Sequence, residues 1–107
     1  MTIAPDLIDR VVEENLHDWT FSVERLADLL QISPSYLREH TQRYFGMTPH
    51  QLIESRRLQL AVLLLPQHER LYEVSKLIGY NCVRSFRRAF TMRYGMTPSA
   101  YREKNPA

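Results

Sequence analysis

Cysteine, glycine and tryptophan are scarce in this sequence of 107 residues, which contains one cysteine, three glycines and one tryptophan. The single cysteine, Cys82, excludes an intramolecular disulfide and is typical of a protein in a reducing cytoplasm. No apolar run approaches the roughly 20 residues that a membrane-spanning helix needs. Because the N-terminus also lacks the basic and apolar segments of a secretion signal, we expect a cytoplasmic protein.

The sequence also lacks the residue patterns on which most enzymes and metal proteins depend. No two histidines have the His-x-x-x-His spacing, and no second cysteine is available as a metal ligand. The scattered histidines are His17, His40, His50 and His68. Neither a glycine-rich phosphate loop nor a nucleophile elbow is present. We therefore expect no catalytic activity and no bound cofactor or metal.

Charge is distributed unevenly along the chain, although the formal net charge is only +2. Residues 1–32 contain seven acidic and two basic side chains, whereas the remaining residues contain twelve basic and five acidic ones. A basic segment of this kind favours a polyanionic partner, although many basic faces are merely solvated. The hydrophobic fraction of 44% is large enough for a globular core.

Capping residues and prolines divide the chain into short helices, and no stretch has the period-two alternation of a strand. Ser22 and Ser33 are placed to cap helices, and Thr48 with Gln51 forms a capping box. The predicted helices include Pro5–His17, Val23–Leu30, Pro34–Phe45, Pro49–Leu65 and about Cys82–Tyr94. The sequence therefore predicts an all-α fold.

The two halves of the chain repeat one pattern. Residues 44–49 match residues 93–98 at an offset of 49, and residues 26–30 match residues 74–78 at an offset of 48. Each copy has a short helix, a tight turn, a longer helix and the sequence Gly-Met-Thr-Pro. Two helices joined by a turn of three or four residues form a helix-turn-helix. A plain helical hairpin is the alternative for one copy, but two copies with the same end signal favour DNA binding.

In a helix-turn-helix the second helix enters the major groove while its back packs on the first helix. In the first copy, helical spacing assigns an inward face to Leu37, Thr41 and Tyr44. The outward face consists of Ser35, Arg38, Glu39 and Gln42. Two interpretations of Glu39 remain open at this point. Its carboxylate can accept from the amino group of cytosine, or it can pair with Arg38 or Arg43 and restrain them.

The second copy has a more basic outward face, formed by Arg84, Arg87, Arg88 and Thr91. Its inward residues are Phe86, Ala89, Phe90 and Tyr94. Three arginines on one helix face repel one another unless a partner neutralises them. An arginine donates two hydrogen bonds to guanine, and such a pair discriminates against a wrong base by about 1–3 kcal/mol. A solvated arginine face is the alternative.

The helix that joins the two copies begins at Pro49 and is interpreted as a stiff connector of roughly 25 Å. Arg56 and Arg57 are expected to contact phosphates, which adds affinity without sequence preference. The run 63–65 is expected to form a seam between the two copies rather than a dimer interface. The resulting organisation has a first subdomain over residues 1–48, a linker helix over 49–65 and a second subdomain over 66–107.

A family resemblance is carried mainly by the second copy. Its residues are Gly79-Tyr80, Ser-Phe-Arg-Arg-Ala-Phe at 85–90 and Gly-Met-Thr-Pro-Ser-Ala-Tyr-Arg at 95–102. The first copy adds Leu26-Ala27, Ser-Pro-Ser-Tyr-Leu at 33–37 and Gly-Met-Thr-Pro at 46–49, and the joining helix adds Arg57-Leu58 and Ala61. Over about residues 5–103 the chain resembles the DNA-binding domain of the AraC/XylS family of bacterial transcription regulators.

The resemblance implies seven helices in two homeodomain-like helix-turn-helix subdomains, whose third and sixth helices enter successive major-groove segments of double-stranded DNA. Carried over by position, it assigns base contacts to Ser35, Arg38, Glu39, Val83, Arg84, Arg87 and Arg88. The chain departs from the family pattern at Glu39, where arginine is usual, and at Thr41, where phenylalanine is usual. These departures imply a different specificity and a looser core in the first copy.

Further partners follow from the same resemblance. The family usually adds an effector-binding or dimerisation domain, so the chain is expected to be a stand-alone member or a fragment. RNA polymerase is a further candidate partner. The alternative function is a protein-interaction module derived from a DNA-binding domain, using histidine, glutamine and tyrosine side chains expected to be exposed on the third helix.

Three single residues have alternative interpretations. Trp19 and Tyr80 are expected to lie in the core rather than to stack on bases. Cys82, at the start of the sixth helix, is expected to be a small residue that fills a first-turn position. A thiol whose pKa is lowered by the helix dipole, and which acts as a redox sensor, is the alternative there.

Overall fold

The computed structural model describes residues 3–106, and these residues form seven α-helices and no strand. The helices are α1 (Pro5–Asn15), α2 (Val23–Leu30), α3 (Pro34–Phe45), α4 (Pro49–Leu64), α5 (Leu71–Leu77), α6 (Val83–Tyr94) and α7 (Pro98–Lys104). The predicted all-α class and the number of helices are thereby confirmed. Within the described part of the chain, no helix is long and apolar enough to cross a membrane.

Two predicted helix ends are slightly wrong. Helix α1 ends at Asn15 rather than His17, and the Asn15 side chain donates a hydrogen bond of 2.8 Å to the carbonyl of Val11. Helix α4 ends at Leu64 and continues as a short 3₁₀ helix, Leu65–Gln67. Proline lacks an N–H, so Pro66 cannot continue the α-helical hydrogen-bond ladder.

The chain divides into two compact units, and the division falls inside α4. The described part of the first unit comprises residues 3–16 and 20–56. The described part of the second unit comprises residues 17–19 and 57–106. The two halves of α4 therefore belong to different units, whereas the sequence predicted a separate linker helix over residues 49–65.

The first unit is built on mutual contacts among α1, α2 and α3. The predicted apolar stripes supply its buried side chains, which include Ile8, Val12, Leu16, Leu26, Ala27, Leu30 and Leu37. Full burial of an aliphatic side chain of this size stabilises a fold by about 1.5–3 kcal/mol. The predicted capping box opens α4, because the Thr48 N–H donates to Gln51 Oε1 at 2.9 Å and the Gln51 N–H donates to Thr48 Oγ1 at 3.2 Å.

The second unit has its own apolar core, made by the second half of α4 together with α5 and α6. The fully buried members are Leu58, Ala61, Leu65, Val74, Ile78, Phe86 and Phe90. Helix α7 is fastened by Arg102, whose Nε donates to the Leu65 carbonyl at 3.0 Å and whose Nη1 donates to the Glu69 carbonyl at 2.9 Å. Helix α7 is thereby tied to the segment that follows α4.

The turn after α2 and the turn after α5 begin with the same hydrogen bonds. The Ile32 N–H donates to the Ala27 carbonyl at 3.0 Å, and the Tyr80 N–H donates to the Ser75 carbonyl at 2.9 Å. Each turn places one residue in the left-handed region, Gln31 with φ 58° and Gly79 with φ 90°. Glycine tolerates this conformation, whereas the Cβ atom of glutamine makes it costly.

Candidate nucleic-acid interface

Helix α3 presents its predicted polar face to solvent. Ser33 Oγ accepts a hydrogen bond of 3.1 Å from the Tyr36 N–H at the start of the helix, and Gly46 ends it with φ 68°. Between these signals the helix has a fixed length and rotation. The four predicted outward residues are all exposed: Ser35, Arg38, Glu39 and Gln42.

The inward face of α3 differs from the prediction at two positions. Leu37 and Thr41 are fully buried as expected, but Tyr44 is 39% exposed. His40 is only 4% exposed, because its ring stacks on Tyr36 with centroids 4.1 Å apart and Nδ1 lies 3.1 Å from the Tyr36 carbonyl oxygen. The expectation that a histidine of this helix is exposed for docking was therefore wrong.

Thr41 fits this core because its hydroxyl is satisfied within the helix. Thr41 Oγ1 donates a hydrogen bond of 3.2 Å to the Arg38 carbonyl oxygen. An unsatisfied buried hydroxyl costs roughly 1–3 kcal/mol, and the local bond avoids much of that cost. The departure from the usual phenylalanine thus leaves a smaller side chain in the core but no unpaired polar atom.

Glu39 lies beside Arg43 one helical turn further on. The Glu39 Oε1 atom is 3.8 Å from Arg43 Nη2, and both side chains are more than 60% exposed. Exposed pairs of this kind contribute only about 0.2–1 kcal/mol. The contact therefore restrains Arg43 only weakly, and its geometry matches one of the two interpretations made for Glu39.

Helix α6 presents a face whose charged side chains are all positive. Its predicted outward residues, Arg84, Arg87, Arg88 and Thr91, are all exposed, and Val83 is half-buried. None of the ion pairs among residues 3–106 includes an arginine of this face. Thr91 Oγ1 donates to the Arg87 carbonyl at 2.8 Å, so its hydroxyl is engaged within the helix. The three guanidinium groups thus remain exposed to solvent.

The back of α6 is held by aromatic packing. Phe86 and Phe90 are fully buried, and the Phe90 ring contacts Tyr94 and Tyr101 with centroid distances of 4.7 and 5.9 Å. Aromatic pairs in these tilted geometries contribute about 0.5–1.5 kcal/mol beyond their buried area. This packing fixes the rotation of α6 and therefore the direction of its arginine face.

Cys82 stands at the N-cap of α6 and is exposed. Its thiol makes no capping hydrogen bond of ordinary geometry, unlike Ser33 at the matching position of α3. The amides of Ser85 and Arg84, followed by the Ser85 hydroxyl, still act on the sulfur and lower the pKa of the Cys82 thiol. The lowered pKa therefore comes mainly from donors in the first turn of α6.

Arg56 and Arg57 make contacts within their own units. Arg56 Nε lies 2.9 Å from Asp9 Oδ1, and its side chain is only 18% exposed. Arg57 Nη2 donates to the Asp18 carbonyl at 2.8 Å. The Arg57 guanidinium lies 6.0 Å from the centre of the Tyr80 ring. Burial lowers the pKa of Arg57, while Tyr80 and Asp18 act in the opposite direction. Each of these two guanidinium groups therefore has a contact inside its own unit.

One surface feature was not predicted from the sequence, and the burial of one residue was predicted wrongly. His50 shares a depression of about 310 Å³ with Arg38, beside the first residues of α2, α3 and α4. The Thr48-Pro49 signal predicted the start of α4, but a local signal does not predict which residues of α2 and α3 lie beside it. Trp19 is 60% exposed, so its assignment to the core was wrong, whereas Tyr80 packs against the core of the second unit as expected.

The fold recurs in known proteins. A family model described as a helix-turn-helix domain matches residues 26–104. The probable transcriptional regulator LumQ of Photobacterium leiognathi is 33% identical over 89% of this chain and 38% of its own length. The activator RclR of Escherichia coli K12 is 29% identical over 92% of this chain and 34% of its own length. The chain therefore spans about a third of the length of these curated relatives.

Solved structures agree with the sequence relatives. The C-terminal domain of the response regulator YesN from Fusobacterium nucleatum superposes with a TM-score of 0.85 at 31% identity, covering 91% of this chain and 95% of that one. The DNA-binding domain of AdpA, solved in complex with a target DNA, gives a TM-score of 0.85 at 26% identity, covering 92% and 89%. With two helix-turn-helix units in one all-helical chain, the protein belongs to the AraC-type family of helix-turn-helix transcription regulators.

Proposed function

We propose that this chain binds double-stranded DNA sequence-specifically for transcription regulation, with α3 and α6 as its two reading helices in successive major-groove segments. The observation that carries this function is the face of α6, where three exposed arginines have no ion-pair partner among residues 3–106. A polyanion is the partner that such a face fits, because each phosphate contact releases a condensed counterion.

Arg84, Arg87 and Arg88 carry the main contact in this proposal. They project from a helix whose length and rotation are set by Gly95, with φ 73°, and by the buried phenylalanines behind it. A preorganised guanidinium reads guanine through two parallel hydrogen bonds, whereas an arginine aimed at the backbone adds affinity without preference. Thr91 and the half-buried Val83 offer a methyl group each to a thymine methyl.

Helix α3 contributes a contact of lower charge. Arg38 and Gln42 are its candidate base-reading side chains, since arginine pairs with guanine and glutamine with adenine. Glu39 lies between them in sequence and is negatively charged. Its carboxylate opposes phosphate binding but suits the amino group of cytosine. Ser35, near the start of the helix, is short and hydrogen-bonds either a base or a phosphate.

Arg56 and Arg57 remain candidate phosphate contacts, and each also has a contact within its own unit. Arg56 neutralises Asp9 at 2.9 Å, and Arg57 holds the carbonyl of Asp18. A guanidinium that already satisfies a carboxylate releases less counterion on binding DNA than one in solvent. We therefore expect most of the salt-dependent part of the affinity to come from α6 and Arg38.

The relatives support DNA recognition as the function of this part of the protein. The AdpA domain, which has the same fold, was solved with a target DNA bound. LumQ and RclR are described as transcription regulators, but the chain spans only about a third of their length. We limit the proposed function to DNA recognition, and we place it in the bacterial cytoplasm, where the regulated DNA lies.

The deciding experiment selects bound sequences from a random pool of double-stranded DNA and then measures affinity for the selected site against salt. We expect one site with two conserved half-contacts and a plot of log affinity against log salt that falls by about 0.9 for each phosphate neutralised. A pool that shows no enrichment, or an affinity that is insensitive to salt, would instead favour a protein-interaction module.

A further inference from the structure

A second concave surface lies in the second unit, and none of the side chains assigned to DNA lines it. It is a depression of about 260 Å³ bordered by residues 17–19, by α5 and by the turn between α5 and α6. Three aromatic side chains line it: Trp19, Tyr72 and Tyr80. Trp19 is 60% exposed and Tyr72 is 58% exposed, so the fold leaves two large rings uncovered. Exposed apolar groups that cluster in this way mark binding surfaces more often than isolated ones do.

The charge of the depression is positive. Lys76 is the one formally charged side chain in its lining, and its Nζ atom lies 5.4 Å from the centre of the Tyr72 ring. Lys76 takes part in no ion pair among residues 3–106. Asp18, a neighbour in sequence, is not among the lining residues of the depression. Its carboxylate interacts with Arg57 and raises the pKa of that guanidinium. Further polar side chains complete the lining, among them Asn81 and His17.

A neighbouring depression provides a contrast. It has a volume of about 370 Å³ and shares Tyr72 and Lys76, but its lining also contains Glu73 and Leu77. The Glu73 carboxylate repels an anion and lies 3.6 Å from His68 Nδ1. An anionic ligand is therefore favoured on the Trp19 side of Lys76, where the lining has no carboxylate.

We propose that the depression beside Trp19 binds a small aromatic monocarboxylate. Its ring stacks against Trp19 and Tyr72, and its carboxylate lies beside the Lys76 ammonium. The volume suits a ligand smaller than the drug-sized molecules that fill pockets of roughly 300–1,000 Å³. Stacking supplies the apolar contact, and Lys76 selects the anion.

The position of the site links it to the reading helix. Tyr80 and Asn81 belong to the turn that leads into α6, and the Tyr80 ring lies 5.8 Å from the ring of Phe86. A ligand in the depression touches the segment that directs α6. The bound molecule is therefore an effector of the second unit in this proposal.

The test is a titration of the whole 107-residue chain with benzoate, followed by amide NMR. Trp19 is the only tryptophan, so its indole N–H gives a single resonance that reports directly on the site. We expect saturable shifts at the Trp19 indole and at the amides of Lys76, Tyr80 and Asn81. Cyclohexanecarboxylate, which lacks the aromatic ring, and benzyl alcohol, which lacks the charge, should shift these resonances less.

Two lysine variants separate this site from general anion binding. Lys76→Gln should weaken benzoate binding about two- to fivefold, the effect of one exposed charge pair. Lys104→Gln, the matched control at the other lysine of the chain, should leave it unchanged. Trp19→Leu tests the site independently of the lysine and should abolish the shifts at Tyr80 and Asn81. Shifts that centre on the arginines of α6, equal effects of the two lysine variants, or no saturable shift would overturn the site.

Discussion

The two reading helices have equal length and matching end signals, yet they differ in charge and in the packing behind them. Both α3 and α6 contain 12 residues and end at a glycine in the left-handed conformation. The outward face of α3 carries one arginine and one glutamate, whereas that of α6 carries three arginines. The residues that build a helix-turn-helix and those that choose its partner therefore occupy different faces and vary independently.

The cores behind the two helices also differ. Phe90 of α6 corresponds to Thr41 of α3 at the repeat offset of 49, and Ala89 corresponds to His40. At these two positions the first unit buries a small hydroxyl side chain and an imidazole, whereas the second unit buries the Phe90 ring and half-buries Ala89. Polar groups in a core need local partners, and α3 supplies them from its own backbone.

The largest expected effect comes from giving α6 the core residue of α3. Phe90→Thr should lower the free energy of unfolding of the second unit by about 3–4 kcal/mol, because it removes a buried ring and leaves a cavity. Urea denaturation followed by Trp19 fluorescence measures this change, since Trp19 belongs to the second unit. Thr91→Ala, at the exposed neighbouring position, is the matched control and should change stability little. A loss below 1 kcal/mol would mean that the two cores are equivalent.

The next effect concerns DNA affinity. Arg88→Ala should weaken binding to the selected site by about 1–3 kcal/mol and relax one base preference, because the side chain is a candidate guanine reader. The corresponding change in α3, Glu39→Ala, should shift affinity by less than about 1 kcal/mol but alter the selected sequence, since it removes a charge paired weakly with Arg43. Fluorescence anisotropy and repeated selection measure both quantities.

Two outcomes would contradict that assignment. An equal loss over all DNA sequences would make Arg88 a phosphate contact rather than a base contact. An unchanged selected sequence for Glu39→Ala would remove Glu39 from base reading.

A smaller effect compares the two left-handed turn residues. Gln31→Gly should raise the free energy of unfolding of the first unit by about 0.5–1 kcal/mol, because glycine adopts a positive φ without Cβ strain. The reverse change, Gly79→Gln, should destabilise the second unit by about 1–2 kcal/mol. Thermal unfolding by circular dichroism measures both variants. Stabilisation by Gly79→Gln would show that the turns differ despite their matching hydrogen bonds.

The smallest effect concerns the N-cap of α6. Cys82→Ser should raise the unfolding midpoint slightly at neutral pH, because serine supplies the capping acceptor that Ser33 supplies to α3. The folded state lowers the thiol pKa, so the thiolate stabilises the folded protein only above that lowered pKa. The advantage of serine should therefore shrink as the pH rises through it. Melting curves over a range of alkaline pH check the trend, and an advantage that grows with pH would contradict it.

Local sequence signals predicted most of the elements. The bounds of α2 and α3 are those expected from Ser22, Ser33 and Gly46, because a cap or a left-handed glycine acts within a single helical turn. The outward faces of α3 and α6 also followed from helical spacing alone. The repeated pattern predicted two copies of one helical arrangement, which α2–α3 and α5–α6 form.

Errors arose where a side chain depends on distant partners. Trp19 is large and apolar, yet no element of the fold covers more than part of it. The contact between Arg56 and Asp9 was not predicted, because Asp9 lies 47 residues earlier and becomes adjacent only after folding. His40 was expected at the surface, but the rings of Tyr36 and Tyr44 enclose it. Spacing along one helix carries no information about what packs against it.

The sequence by itself determined the helices, the repeat and the basic face of α6, because these depend on interactions within one or two helical turns. Only the tertiary structure decided which charges remain available and which rings remain exposed. It placed Arg56 and Arg57 in internal contacts while leaving the three arginines of α6 in solvent. The physical reason is that pairing and burial depend on distances between residues far apart in sequence, and only the folded chain sets those distances.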